Sequence, residues 1–111
     1  MNQADFTTLV ESTFTSTKEL LVVKGGEYAG TSDRLSNFKR GAALTGCTPL
    51  QVALIYLAKH YDALATYIRD QAVCHDRPRS EPIGGRLDDM INYAILIKAL
   101  IEERGGPKEK E

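Results

Sequence analysis

The sequence predicts an all-α domain, a compact four-helix bundle-like arrangement assembled as a homo-oligomer. Four segments repeat apolar residues at helical spacing, helix start and stop signals bracket them, and no stretch alternates as a strand would. The 111 residues, 42% of them hydrophobic, suit a single domain over residues 1–104. Residues 105–111 read as a charged, flexible tail.

The first helix is expected from Ala4 to Val23, with Phe6, Leu9, Val10, Phe14, Leu20 and Leu21 as its apolar positions. Its many Thr and Ser residues compete for backbone hydrogen bonds, so this helix depends on packing. Lys24-Gly25-Gly26-Glu27-Tyr28-Ala29-Gly30-Thr31 then breaks the pattern as a glycine loop. Ser32 is the expected cap of the second helix, with Asp33 in its first turn. Its apolar stripe is Leu35, Phe38, Ala42 and Ala43, and Gly46 closes it in the left-handed conformation.

The third helix has the strongest start signal. Thr48 as N-cap, Pro49 at the first helical position and Gln51 form a capping box. Leu50, Leu54, Leu57, Tyr61, Leu64 and Ile68 form the expected core stripe of a helix that reaches about Ala72. Cys74 to Gly85 is read as a loop. The fourth helix is expected from Arg86 to Arg104, stopped by Gly105-Gly106-Pro107. Its apolar residues wrap much of its circumference, which points to burial on more than one side and to self-association through this helix.

Composition narrows the function. A net charge of −1 argues against a protein that wraps a long nucleic acid. Yet Lys24 to Arg40 holds four basic residues (Lys24, Arg34, Lys39, Arg40) against two acidic ones (Glu27, Asp33), a local +2. Such a cluster beside a glycine loop can grip a phosphate, or it can be a solvated helix face. No signal peptide is evident at the N-terminus, and the apolar runs are too short to span a membrane, so a cytoplasmic location is expected. Cys47 and Cys74 lack metal spacing and read as reduced, partly buried thiols.

The remaining polar residues each admit two readings. Lys59, Asp62, Thr66 and Arg69 share one face of the third helix, with His60 beside them. His60 can be a phosphate donor or a partly buried polar residue. Asp88 and Asp89 can bind Mg²⁺ or simply complement a helix dipole. Asp89, Asn92 and Tyr93 can cluster near the start of the fourth helix. No Ser-His-Asp or Cys-His arrangement is identifiable.

Taken together, Lys24-Gly25-Gly26-Glu27-Tyr28-Ala29-Gly30, then Asp33-Arg34-Leu35-Ser36-Asn37-Phe38-Lys39, then Lys59-His60-Tyr61-Asp62-Ala63, then the stretch from Glu81 through Asp89 to Asn92-Tyr93-Ala94 resemble a group of small uncharacterised bacteriophage proteins. The resemblance covers roughly residues 20 to 101. The pattern is also distantly similar to the nucleotide-modification-associated small domains of phages, and more remotely to MazG-like all-α nucleoside triphosphate pyrophosphohydrolases. Those hydrolases carry Glu-Glu-x-x-Glu and Glu-x-x-Asp for multiple Mg²⁺ ions. This chain departs from them: Glu102-Glu103 lies at the end of the last helix, and Glu27, Asp62, Asp88 and Asp89 are scattered.

The resemblance therefore implies a binder of a nucleotide or a nucleotide-derived second messenger, in a phage setting a means of sequestering a host defence signal in the infected cell. The expected ligand-binding residues are Lys24, Tyr28, Arg34, Asn37, Lys59, His60, Arg86, Asp89, Asn92 and Tyr93, with no cofactor and no metal ligand assigned. Cationic groups suit phosphates, amides and carboxylates suit base edges, and tyrosines suit stacking. Two alternatives stand beside this reading: Mg²⁺-dependent triphosphate hydrolysis through Glu27, Asp62, Asp88 and Asp89, and a protein-binding module.

Overall fold

A computed structural model describes residues 1–25 and 33–106. Among them are four α-helices, α1 (Gln3–Lys18), α2 (Ser36–Thr45), α3 (Pro49–Ala72) and α4 (Ile83–Glu103), with a π-helical turn, Glu19–Lys24, continuing α1. The described residues contain no strand. The all-α class follows the sequence. Tyr28, Ser32 and most of the glycine loop lie outside the described residues.

Local chemistry explains each boundary. The Asn2 side chain accepts from the Asp5 amide at 2.8 Å and starts α1. The hydroxyls of Thr8, Thr15 and Thr17 turn back onto the carbonyls of Ala4, Glu11 and Phe14 at 3.0–3.2 Å, as their abundance predicts. The chain stays helical to Lys24, but its last turn widens to π geometry. Arg34 reaches back to this turn: Nε and Nη2 donate to the Leu21 carbonyl at 3.4 and 3.3 Å. A cation there satisfies an end carbonyl and complements the helix dipole. Gly25 is buried beneath that guanidinium, where an added Cβ would overlap it.

α2 starts at Ser36, later than expected: Asp33 lies ahead of it, not in its first turn, and holds the approach in an Asx turn by accepting from the Leu35 amide at 3.0 Å. Gly46, at φ 77°, closes the helix as expected. The chain then bends by 101° into α3. The Thr48–Gln51 capping box is present in both directions, with Pro49 at the first turn and Ala72 at the end. The fourth helix starts at Ile83, earlier than Arg86, because Gly84 and Gly85 sit in its first turn. There their amides have no intrahelical acceptor to reach, so the usual cost of helix-interior glycine is reduced.

α3 and α4 end with the same hydrogen-bond pattern. Gly106 N–H bonds the Ile101 carbonyl and Gly105 N–H the Glu102 carbonyl, both at 3.0 Å. His75 N–H bonds the Asp70 carbonyl at 2.8 Å and Cys74 N–H the Gln71 carbonyl at 3.3 Å. Cys74, at φ 53°, thus holds the left-handed position that Gly105 holds in α4. Its thiol is exposed, not partly buried as its sequence context suggested, because the left-handed residue of this cap projects beyond the helix end; Cys47 is half-buried.

The buried core is small: Leu35, Phe38, Ala42, Val52, Ala53 and Leu100. Phe38 is 1% exposed and lies between Tyr56 and Tyr93, with ring centroids 6.1 and 6.5 Å away. Tilted and edge-on ring pairs of this kind add to simple burial. α4 packs against α3 and also touches α1, but Leu87, Ile91 and Ile95 remain exposed, so its apolar circumference is only partly covered. Among the described residues no single helix is long and apolar enough to cross a membrane.

The expected core stripe of α3 is the main correction. Leu54, Tyr61 and Ile68 are 59%, 60% and 58% exposed, while Leu50, Leu57 and Leu64 are half-buried. The inward side runs instead through Ala53, His60, Ala63, Tyr67 and Asp70. Ala53, wholly buried, lets its neighbours approach closely, and His60 and Asp70 are met by Arg86 and Arg77. On α1, Phe6, Leu9 and Phe14 are likewise exposed; Val10 and Thr13 are half-buried, Thr17 is buried, and Leu20 and Leu21 of the π turn are half-buried.

Two substitutions test these boundaries by urea denaturation. Thr48→Ala removes the cap acceptor and should lower stability by about 1 kcal/mol. Cys74→Gly relieves a left-handed strain of about 1–2 kcal/mol, partly offset by greater freedom of the unfolded chain, and should raise stability by about 0.5–1 kcal/mol.

Candidate functional site

The expected site residues do not form one cluster; Tyr28 lies outside the described residues. His60 on α3 and Arg86, Asp89 and Tyr93 on α4 come together. Arg86 Nη1 donates to His60 Nδ1 at 3.3 Å, and Asp89 Oδ2 stands 3.7 Å from the same nitrogen. A guanidinium can only donate, so this bond requires an unprotonated Nδ1, and the neutral ring then carries its proton on Nε2. A ring protonated on Nδ1 would instead be directed to Asp89. The imidazole leans on Tyr93 at 5.4 Å between centroids, and Tyr56 stands 6.1 Å from Tyr93. Burial, then the Asp89 charge, then Tyr56, raise the Tyr93 phenol above its ordinary value. Asn92 is buried on α4, and its Oδ1 has no hydrogen-bond partner among the described residues.

The other expected residues lie elsewhere. Arg34 caps the π turn and lines a second cavity of about 610 Å³ with Leu21, Leu35, Leu96 and Ala99. Ala99 follows Arg86 by 13 positions on α4, roughly 20 Å at helical rise, so Arg34 and Arg86 serve different ends of that helix. Lys24, Asn37 and Lys59 are exposed. The local positive charge of the second helix is also partly consumed: Lys39 bridges Asp33 and Glu103. Its ammonium hydrogen bond holds the Asp33 carboxyl below the usual range, and Asp33 and then Glu103 raise the Lys39 amine.

Arg86 also opens onto a cavity of about 320 Å³ between α3 and the segment before α4. It is lined by Asp62, Thr66 and Tyr67 from α3, and by Arg77, Arg79, Ser80 and Glu81. Asp70, 5% exposed, anchors this wall from α3. Arg77 Nη2 donates to Asp70 Oδ1 at 3.1 Å, and Arg77 Nε lies 3.0 Å from Oδ2 as an ion-pair contact, although Oδ2 itself has no hydrogen-bond partner among the described residues. Arg79 lies over the Tyr67 ring, 4.7 Å from its centroid. Arg86 Nε stands 3.5 Å from Glu81.

Sequence reasoning missed Arg77, Arg79 and Asp70; Tyr67 stands out in the sequence only as one of five tyrosines able to stack on a base. The signal available was two arginines flanking Pro78, just after an acid on the helix face opposite the aliphatic stripe. Among the described residues no three His, Cys, Asp or Glu side chains converge as metal ligands. No family model, no curated protein and no solved structure matches the chain.

The raised Tyr93 value carries a sign. The fold favours the neutral phenol, so its contribution is complete below the ordinary tyrosine value of about 10 and is lost as pH climbs through the raised one. In an ultraviolet titration followed at the phenolate band, Tyr93→Phe should remove a component that ionises above the ordinary tyrosine range.

Proposed function

We propose that this protein binds a nucleotide or a nucleotide-derived second messenger in the cleft between α3 and the segment preceding α4. One observation carries the reading: Arg77, Arg79 and Arg86 surround a single cavity that also offers the Tyr67 ring and the Thr66 and Ser80 hydroxyls. Guanidiniums suit phosphate oxygens by shape as well as charge, and hydroxyls suit sugar or base edges. The volume is near the lower end of the ~300–1,000 Å³ common for small-molecule sites, the size for one nucleotide unit. The His60–Arg86–Asp89 cluster adjoins the cavity through Arg86 and fixes that side chain. Lys24, Arg34 and Asn37 have no part in this form of the proposal.

The biological form of the proposal is sequestration, by a phage protein, of a signal used in host defence. It rests on the resemblance of the sequence segments to small phage proteins, and on a residue set suited to holding phosphates. In this reading the ligand is retained and released unchanged.

Isothermal titration against cyclic di- and trinucleotides, ADP-ribose derivatives and nucleoside triphosphates tests the reading. At least one class should bind, and Arg79→Ala and Arg86→Ala should each weaken it at least tenfold, consistent with loss of a charge-assisted contact of about 1.5–3 kcal/mol. No binding at protein concentrations well above micromolar overturns it. Pyrophosphate released from a nucleotide pool with Mg²⁺ or Mn²⁺, and abolished in Asp89→Asn, replaces it with the hydrolase reading.

A further inference from the structure

The outward side of α3 is built like the inside of a protein. Leu54, Tyr61 and Ile68 recur every seven residues and are each more than half exposed. Ala58 and Ala65 lie between them, and Asp62 and Arg69 border the same face. An aliphatic and aromatic stripe of this length is normally covered.

The surface area says how much covering is missing. The chain exposes 8241 Å², whereas a compact monomer of 12.2 kDa exposes about 6,100 Å². Allowing residues 26–32 and 107–111 the full exposure of an unfolded chain still leaves a surplus of about 700 Å² over a compact domain of the remaining size. A standard interface removes about 800 Å² from each partner.

The pattern along the stripe identifies the occupant as a copy of the same chain. A twofold axis pairs a surface with itself, so it requires complementary groups at equal distances on either side of a centre. Asp62 and Arg69 have opposite charge and stand on either side of a point next to Ala65. Tyr61 and Ile68 stand on either side of nearly the same point. Neither Asp62 nor Arg69 has an ion-pair partner within the chain among the described residues. We propose that two copies pack α3 against α3, antiparallel and crossing at Ala65. Tyr61 then meets the partner's Ile68, and Asp62 meets the partner's Arg69, each twice. The small Ala65 side chain lets the helix backbones approach at the crossing. Leu87, Ile91 and Ile95 on α4, the helix that the sequence nominates for self-association, are less exposed than the α3 stripe and lack such symmetry. Asp62 also borders the ligand cavity, whereas Leu54, Tyr61 and Ile68 do not, so the Tyr61→Glu arm tests this assignment apart from the ligand proposal.

Light scattering coupled to size exclusion tests it on the full chain. The wild type should run at twice 12.2 kDa, and Tyr61→Glu at the monomer mass with its helical circular dichroism retained. Charge reversal provides the stricter arm, because those variants keep the apolar stripe. Asp62→Arg and Arg69→Asp should each raise the dimer dissociation constant at least tenfold, and the double variant should restore it to within about threefold of wild type. Three results overturn the proposal: a monomeric wild type at 200 μM, a double reversal that fails to rescue, or dissociation by Ile91→Glu together with Ile95→Glu but not by Tyr61→Glu.

Discussion

The rotation of α3 about its own axis governs the rest of the molecule. This helix carries two neighbouring stripes, one of large aliphatic residues and one of alanine, tyrosine, histidine and aspartate. The fold turns the second inward. Ala53 has no bulk to keep its neighbours away, so Val52 and Phe38 are buried beside it, and Tyr56 and Tyr93 close around the Phe38 ring. Had the aliphatic stripe faced inward, His60 and Asp70 would stand in water. The Arg86 contact and the Arg77 pairing would then have no anchor. Burying polar groups is costly unless they are partnered; His60 is met by Arg86 and Asp89, and Asp70 accepts from Arg77 through Oδ1.

The same rotation explains why so much apolar surface is left outside. A helix in the middle of a larger bundle can bury both stripes; here α1 packs mainly near its C-terminal end, and α2 is short. The described chain therefore has a polar interior at its cleft and an apolar exterior opposite. One helix supplies both walls, so a ligand in the cleft and a partner on the outer face would press on the same rigid element. A 24-residue α-helix transmits such pressure without needing a hinge.

How much of this could be read from the sequence depends on the range of the interaction. Thr48, Pro49 and Gln51 specify a helix start among themselves, and Gly46, Gly105 and Gly106 specify stops through backbone geometry alone. Those features match the structure closely. Cys74 adopts the same geometry as Gly105 but gives no composition signal, since the hydrogen bonds around it hold it there against its preference. Periodicity located α3 but not its orientation, because two adjacent stripes satisfy the helical repeat and only packing partners decide between them. Arg34 was legible as a cation and not as a helix cap, since its acceptor, the Leu21 carbonyl, belongs to the backbone and leaves no mark in the sequence. The pairing of His60 with Arg86 and Asp89 joins two helices across a long connection, and residue types alone suggested its members without their distances.

The sharp corner at Gly46, finally, has a bearing on the order of events in folding. Phe38 and Tyr56 lie on the two arms of that corner and are near neighbours along the chain, while Tyr93 arrives from far downstream. Closing a short loop sacrifices less chain entropy than closing a long one. The α2–α3 corner can therefore assemble as a local unit, with α4 docking onto a ring pair already in place.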